Sequence, residues 1–151
     1  MITRRALLGT ALVPPAAGLL TNPALAAEPP VYATNGIAIN GIDPVAYFTE
    51  SKPVKGDMAH SVDWEGAKLL FSSAENKATF EADPERYTPK YGGYCAYAVS
   101  KGGTATTDPD AWTIHNDRLY LNFNTTVRSI WDEDRDGNIK KADANWPGVL
   151  G

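Results

Sequence analysis

Residues 91–100 read Tyr-Gly-Gly-Tyr-Cys-Ala-Tyr-Ala-Val-Ser and contain Cys95, the single cysteine of the 151-residue chain. Gly92 and Gly93 carry no Cβ, so the backbone can turn sharply there or approach another segment closely. We expect the rest of the chain to fold around this stretch. Cys95 either has a functional thiol or is a small, inert core residue. The second alternative is common, because free cysteine is often buried.

Aromatic side chains around the thiol predict a small pocket. Tyr91, Tyr94 and Tyr97 flank Cys95 in the sequence, and Trp112 lies in the next apolar run. A tyrosine has an apolar ring and a polar hydroxyl, so it can line a pocket and still form a hydrogen bond. These four aromatic residues are therefore the predicted lining.

Residues 1–26 have the pattern of an export signal. Arg4 and Arg5 precede an apolar stretch that is too short and too interrupted by proline to span a bilayer, and small residues lead up to Ala26. The paired arginines resemble a twin-arginine signal. We predict cleavage after Ala26 and a periplasmic or secreted bacterial protein without a membrane anchor.

Composition limits the function of the exported product. The chain has 14 basic and 18 acidic side chains, and removal of Arg4 and Arg5 with the signal would leave 125 residues with a net charge of −6. This length suits one domain. The negative charge argues against nucleic acid as a partner, because phosphate neutralisation drives that binding. A metal ion or a small molecule is the expected partner.

Apolar periodicity and turn signals predict one α+β domain over residues 41–151, with short helices and antiparallel hairpins, after an extended lead-in at residues 27–40. Asp43 is a candidate cap for a first short helix, since Pro44 suits the first helical position. A strand pair is predicted between residues 58 and 71.

Short motifs also predict the helices and turns of the chain from residue 72 onward. Ser72 and Glu75 have the spacing of a capping box, which predicts a helix that ends near residue 83. Two alternating runs around Asn116-Asp117 predict a β-hairpin. Asn124 or Thr125 is expected to cap a following helix, and a helical tail closes the chain.

Together these motifs resemble a YHS domain, and more closely the exported members of that family. The matching segments are residues 43–45, 71–76, 80, 82–87, 91–96, 112–114, 119–122 and 145–147. The resemblance implies a small α+β fold. In metal-handling relatives it implies copper or zinc bound by cysteines, but those positions are Ala46, Ser72 and Asn76 here. We therefore expect the metal site of the wider family to be absent.

The remaining soft or borderline ligands suggest another metal site. The candidate ligands are Cys95, His115, His60 and Met58. Their sulfur and imidazole groups can bind copper, which is the first expectation, or zinc. Their separation carries no spacing signature, so this hypothesis rests on composition alone.

Two alternatives to a metal site remain open. If Cys95 lies in the first turn of a short helix, its pKa would fall and a redox role with a partner thiol or small molecule would follow. The other alternative is an inert core cysteine in a structural domain. The sequence has no phosphate loop, nucleophile elbow or His-Glu-x-x-His, so no enzymatic reaction is indicated.

Residues 132–143 match the twelve-residue pattern of a calcium-binding EF-hand loop. Oxygen-bearing side chains recur at alternate positions, a glycine follows, and a carboxylate closes the pattern. The predicted calcium ligands are Asp132, Asp134, Asp136, Asn138 and Asp143.

Overall fold

The computed structural model describes residues 27–151, and the export signal predicted for residues 1–26 lies outside them. Within the described part, the α+β prediction is confirmed. The strands are β1 (Ala33–Thr34), β2 (Ile37–Ala38), β3 (Asp57–Trp64), β4 (Ala67–Phe71), β5 (Trp112–His115) and β6 (Arg118–Leu121). The α-helices are α1 (Ala46–Thr49), α2 (Ala74–Ala82), α3 (Pro84–Tyr87), α4 (Ala96–Ser100), α5 (Thr125–Asp132) and α6 (Arg135–Asn145). Short 3-10 turns cover Ile39–Gly41, Lys90–Gly93 and Gly148–Leu150.

The strands form two small sheets. One has four strands in the order β1-β2-β4-β3, and the other is the β5–β6 hairpin. Strands β3 and β4 pair antiparallel, as predicted, through a turn at Glu65 and Gly66, both of which have positive φ. Asn116 and Asp117 also have positive φ, which the tight turn of the second hairpin requires.

The predicted lead-in at residues 27–40 is wrong as a boundary, because this segment belongs to the fold. Strand β1 pairs with β2, and Ile37 of β2 pairs in parallel with Lys68 of β4. Val31 and Ala38 are buried in the core. Burial of a few apolar side chains stabilises the packing of residues 27–40 on the sheet, although their composition resembles that of a linker.

Helix α1 begins at Ala46 with Val45 as its N-cap, so the predicted helix start at Pro44 is wrong, although the Asp43 carboxylate accepts from the Val45 and Ala46 N–H groups.

The other helix caps follow the sequence signals with one shift. The side chain of Ser73, not Ser72, accepts a hydrogen bond from the Asn76 backbone N–H at the start of α2. The helix ends before Asp83, as expected. Asn124 caps α5 by accepting from the Val127 N–H at 2.8 Å, which decides between the two predicted caps.

Two buried clusters support the domain. The first lies under the four-stranded sheet and includes Tyr47, Phe71 and Phe80. The second joins the tyrosines of residues 91–100 to Trp131 and to the helical tail. The domain therefore has a sheet-based half and a helix-based half. They meet at β6, whose side chains alternate between the two clusters, and residues 91–100 belong to the second half.

Gly92 and Gly93 explain how residues 91–100 can pack closely against the sheet-based half. Both have positive φ, at 61° and 85°. A Cβ on Gly92 would lie 1.9 Å from the backbone oxygen of Pro30, and a Cβ on Gly93 would lie 2.4 Å from the side chain of Ile39. Only glycine allows this turn and this close approach, as the sequence predicted.

No helix between residues 27 and 151 has the length and hydropathy needed to cross a bilayer.

Candidate functional site

Cys95 precedes α4 and is buried, with 1 % of its surface exposed. Its Sγ accepts a hydrogen bond from the Phe123 backbone N–H at 3.2 Å. The thiol in turn faces the side-chain oxygen of Asn122 at 3.5 Å, and the same oxygen accepts from the Tyr97 N–H at 3.0 Å. The thiol is therefore held in a fixed position by the β6 end of the second hairpin.

The environment of Cys95 favours the neutral thiol. Burial raises the pKa of Cys95, and the hydrogen bonds from backbone N–H groups only partly oppose that rise. Cys95 is the N-cap of α4, and the N–H groups of Tyr97 and Ala98 in its first turn lower the pKa, but burial outweighs them, so the predicted net fall in the pKa is wrong. The position lacks the stabilised thiolate that a reactive cysteine needs.

A small apolar pocket of about 270 Å³ adjoins the thiol, and we call it the Cys95 pocket. Its lining consists of Cys95, Tyr97, Ala98, Ala105, Phe123 and Val127. Phe123 leaves half of its surface exposed, although most side chains of this size are buried.

The predicted aromatic lining is divided among several places. Tyr97 lines the Cys95 pocket, whereas Tyr91 lines a different cleft. Tyr94 is buried and its hydroxyl donates to the backbone oxygen of Pro29 at 2.8 Å. Trp112 packs against a tyrosine of α1 in the first cluster.

The other predicted metal ligands do not join the Cys95 pocket. The Nε2 atom of His115 lies 2.9 Å from the Asp136 carboxylate, and Arg135 lies 3.4 Å from Nδ1. His60 lies on β3, and Met58 on the same strand leaves 57 % of its surface exposed.

Metal binding is therefore not supported by the arrangement of donors. Within residues 27–151 no group of three or more His, Cys, Asp or Glu side chains could hold a metal ion. The Cys95 pocket offers one soft ligand, whereas copper and zinc sites in proteins take several soft or imidazole ligands.

The positions where the resemblance places metal-binding cysteines are occupied by a network around Asp43, which we call the Asp43 cluster. Asp43 is fully buried, and one of its oxygens accepts from the Val45 and Ala46 N–H groups. The other oxygen accepts from the N–H and the hydroxyl of Ser72, and from the side-chain amide of Asn76, each at 2.8 Å.

All five hydrogen bonds to Asp43 come from donors within the chain. Ser72 and Asn76 are thus committed to holding a carboxylate, and Ala46 carries no ligand atom. These residues do not fit copper or zinc, which favour thiolate and imidazole ligands.

The predicted calcium loop is wrong in its geometry, because α6 begins at Arg135 and includes the last nine of the twelve residues. Asp134 caps this helix by accepting from the Gly137 N–H, and a Cβ on Gly137 would lie 2.2 Å from the Asp134 carboxylate. The glycine thus serves a helix cap and not a calcium-binding turn.

The other predicted calcium ligands are separated along the helix and occupied. Asp132 binds Arg135, and Asp136 faces His115. The side chain of Asn138 donates to the Trp131 backbone oxygen. Asp143 binds Tyr91 and a lysine, which are described below.

A polar cleft of about 380 Å³, which the sequence did not indicate, lies beside Arg118, and we call it the Arg118 cleft. Its lining consists of Trp64, Glu65, Glu85, Thr88, Pro89, Lys90, Tyr91, Gly92, Arg118, Asp143 and Trp146. Several elements that are far apart in the sequence meet there, including the β3–β4 turn, α3, the start of β6 and the end of α6.

Within residues 27–151 three buried side-chain donors have no hydrogen-bond partner, on Arg118, Asn122 and Trp131, and of these residues only Arg118 lines the cleft. Its Nε atom is shielded from solvent and has no hydrogen-bond partner among residues 27–151. It also makes no ion pair with an acid in that range. A buried donor without an acceptor is destabilising, so such a group calls for an explanation.

The neighbouring charges in the cleft are paired with each other. Lys90 lies 3.1 Å from the Asp143 carboxylate, and the Tyr91 hydroxyl donates to the same carboxylate at 2.8 Å. Burial and Asp143 raise the pKa of Tyr91 well above its usual range, and the charge of Arg118 opposes that rise. Arg118 is therefore close to Tyr91, but the acid nearby is committed elsewhere.

Two tryptophans line the cleft and are fixed by packing. Trp64 makes an edge contact with Phe80, with ring centroids 5.4 Å apart. Trp146 lies against Tyr91 and Tyr94, with centroids 6.0 and 6.2 Å apart. Side chains held in this way form a lining that is in place before a ligand arrives.

Comparison with known proteins identifies no relative, since no family model, no curated protein and no solved structure matches the chain.

Proposed function

We propose that this chain is an exported domain of the YHS type that binds a small organic oxyanion, a carboxylate or a phosphate ester, through Arg118. The export signal and the family resemblance support the first part by their sequence motifs. The observation that carries the second part is the unpartnered, buried Nε of an arginine that lines a cleft.

The chemistry of arginine supports an oxyanion as the missing partner. A guanidinium group presents a planar fork of N–H donors that matches the two oxygens of a carboxylate or phosphate. A side-on pair of bonds from Nε and one terminal nitrogen would satisfy the buried donor, and it requires the Arg118 side chain to shift, because Nε is shielded from solvent in the free protein. Because Lys90 and Asp143 neutralise each other, Arg118 supplies the attraction for an anion.

The dimensions and walls of the cleft support a small organic molecule. A volume of about 380 Å³ lies within the range of small-molecule sites. Trp64 and Trp146 offer flat apolar surfaces against which the carbon part of a ligand can pack.

Calorimetric titration of the full chain with pentanoate and with inorganic phosphate tests this proposal. We expect at least one of them to bind, and Arg118→Met to weaken that binding about tenfold or more, because a hydrogen bond to a charged group contributes about 1.5–3 kcal/mol. Arg128→Met is the matched control, since Arg128 lies outside the cleft and donates to Thr113. Equal binding by the wild type and Arg118→Met would contradict the proposal.

The Cys95 pocket is a second candidate, favoured by its apolar lining and by the half-exposed Phe123. It suits a small apolar ligand that packs against a neutral thiol. Phe123→Ala should then abolish binding of a probe such as toluene, followed by chemical shift changes of the Val127 methyl groups. No change in those shifts on addition of the probe to the wild type would remove this candidate.

A further inference from the structure

We infer that the ligand of the Arg118 cleft carries an amine as well as a carboxylate, so that it is an amino-acid-like zwitterion. This inference rests on the proposed function and specifies its ligand. It follows from the distribution of charge in the cleft, where a single unpaired cation is combined with two unpaired acids.

The two acids are Glu65 and Glu85. Glu65 lies in the β3–β4 turn, where its positive φ of 47° fixes the backbone, and Glu85 lies in the first turn of α3. Both side chains line the cleft, and both belong to exposed residues. Neither forms an ion pair within residues 27–151.

This charge pattern selects against a simple anion. With Lys90 and Asp143 paired, the remaining charges are one positive guanidinium, whose Nε is shielded, and two negative carboxylates on exposed residues. A ligand with only a carboxylate would be attracted by Arg118 and repelled by Glu65 and Glu85. A ligand that also carries an ammonium group would be attracted by all three.

The aromatic walls strengthen the same preference. A cation over the face of a tryptophan is attracted by its ring, by about 0.5–1 kcal/mol at exposed sites. Trp64 directly precedes Glu65 in the chain, and Trp146 lines the same cleft. An ammonium group beside these acids would therefore have both acidic and aromatic partners.

The test compares three ligands of the same carbon length in calorimetric titrations of the full chain: pentanoate, 5-aminopentanoate and pentylamine. We expect 5-aminopentanoate to bind about two- to thirtyfold tighter than pentanoate, since two exposed ion pairs contribute about 0.2–1 kcal/mol each.

Three variants show which residues cause the expected gain in affinity. In Glu65→Gln/Glu85→Gln the advantage of 5-aminopentanoate over pentanoate should disappear, with pentanoate binding unchanged or tighter. Glu81→Gln, an exposed acid on α2 outside the cleft, should leave the advantage intact. In Arg118→Met both carboxylates should bind weakly.

The outcomes separate the inference from the function on which it rests. If pentanoate binds through Arg118 as tightly as 5-aminopentanoate, the zwitterion is excluded and the oxyanion site stands. If none of the ligands binds, or if pentylamine binds as tightly as 5-aminopentanoate, the anchoring role of Arg118 is overturned as well.

Discussion

The Asp43 carboxylate and the Nε atom of Arg118 are both shielded from water, although the rest of Arg118 is partly exposed, and they differ in what surrounds them. Asp43 accepts five hydrogen bonds from its own chain, whereas the Nε of Arg118 has no partner within residues 27–151. A buried charge is tolerated when the fold satisfies it. The comparison suggests that Asp43 serves stability, while Arg118 retains capacity for a ligand.

The largest expected effect is on the Asp43 cluster. Asp43→Ala removes the acceptor for donors on α1, Ser72 and Asn76, so we expect the free energy of unfolding to fall by about 3–5 kcal/mol. Asp43→Asn should also be unstable, because its amide N–H would face other donors. Chemical denaturation measures both, with Glu81→Ala as the exposed control. A loss below about 1 kcal/mol would show that the network is not structural.

The second expected effect is a loss of stability at alkaline pH. Burial raises the pKa of Tyr47 well above its ordinary 10.0, and burial likewise raises the pKa of Cys95 and Tyr91. A raised pKa means that the folded state keeps a proton which the unfolded state releases. This contribution to stability is complete below the unfolded pKa and is lost as pH rises above it.

The loss should begin near pH 9, the ordinary pKa of the thiol, and steepen above pH 10. Tyr47 alone should contribute a slope of about 1.4 kcal/mol per pH unit. Urea denaturation at a series of pH values measures the slope, and Tyr47→Phe should reduce it. An identical slope in Tyr47→Phe would contradict this assignment.

A smaller effect is expected at Cys95. The neutral, buried thiol should react with a disulfide reagent at pH 8 only as fast as the protein opens, and at least about a hundredfold more slowly than in denaturant. Cys95→Ala should cost about 1 kcal/mol, because the deleted group is small and buried. Rapid labelling of the folded protein at pH 8 would restore the redox hypothesis.

The smallest expected effect on stability is at Arg118. Arg118→Met keeps the unbranched stem and removes the unsatisfied donor, so the free energy of unfolding should change by less than about 0.5 kcal/mol or increase. Denaturation beside Asp43→Ala compares the two charges directly. A loss of 2 kcal/mol or more would mean that Arg118 is a structural residue like Asp43.

The parts of the fold that the sequence predicted are those decided by local chemistry. The Asn116-Asp117 turn, the Asn124 cap and the Gly92-Gly93 approach each follow from what a few adjacent residues can adopt. The calcium-loop prediction was wrong because a local pattern can fit two structures. Asp134 and Gly137 suit a helix cap as well as a loop, and tertiary packing of α6 decides between them.

The candidate site could not be predicted because it depends on contacts between distant residues. Nothing near Arg118 in the sequence distinguishes it from other charged residues at strand ends. Its significance appears only when Trp64, Lys90 and Asp143 are placed around it, with Asp143 already bound by Lys90. Asp43 was predicted as a helix cap and does accept from N–H groups at the start of α1, but its bonds to Ser72, 29 residues away, were not predicted.

The most direct test of the central claim is the NMR signal of the Arg118 Nε–H group during a titration with 5-aminopentanoate. The signal is assigned by its loss in Arg118→Met, and the Nε–H of Arg128, which already donates to Thr113, serves as an internal reference. The account predicts a downfield shift of the Arg118 proton that saturates with the calorimetric binding curve, while Arg128 stays unchanged. Binding that leaves the Arg118 signal unmoved would contradict the claim that this buried donor is the anchor of the ligand.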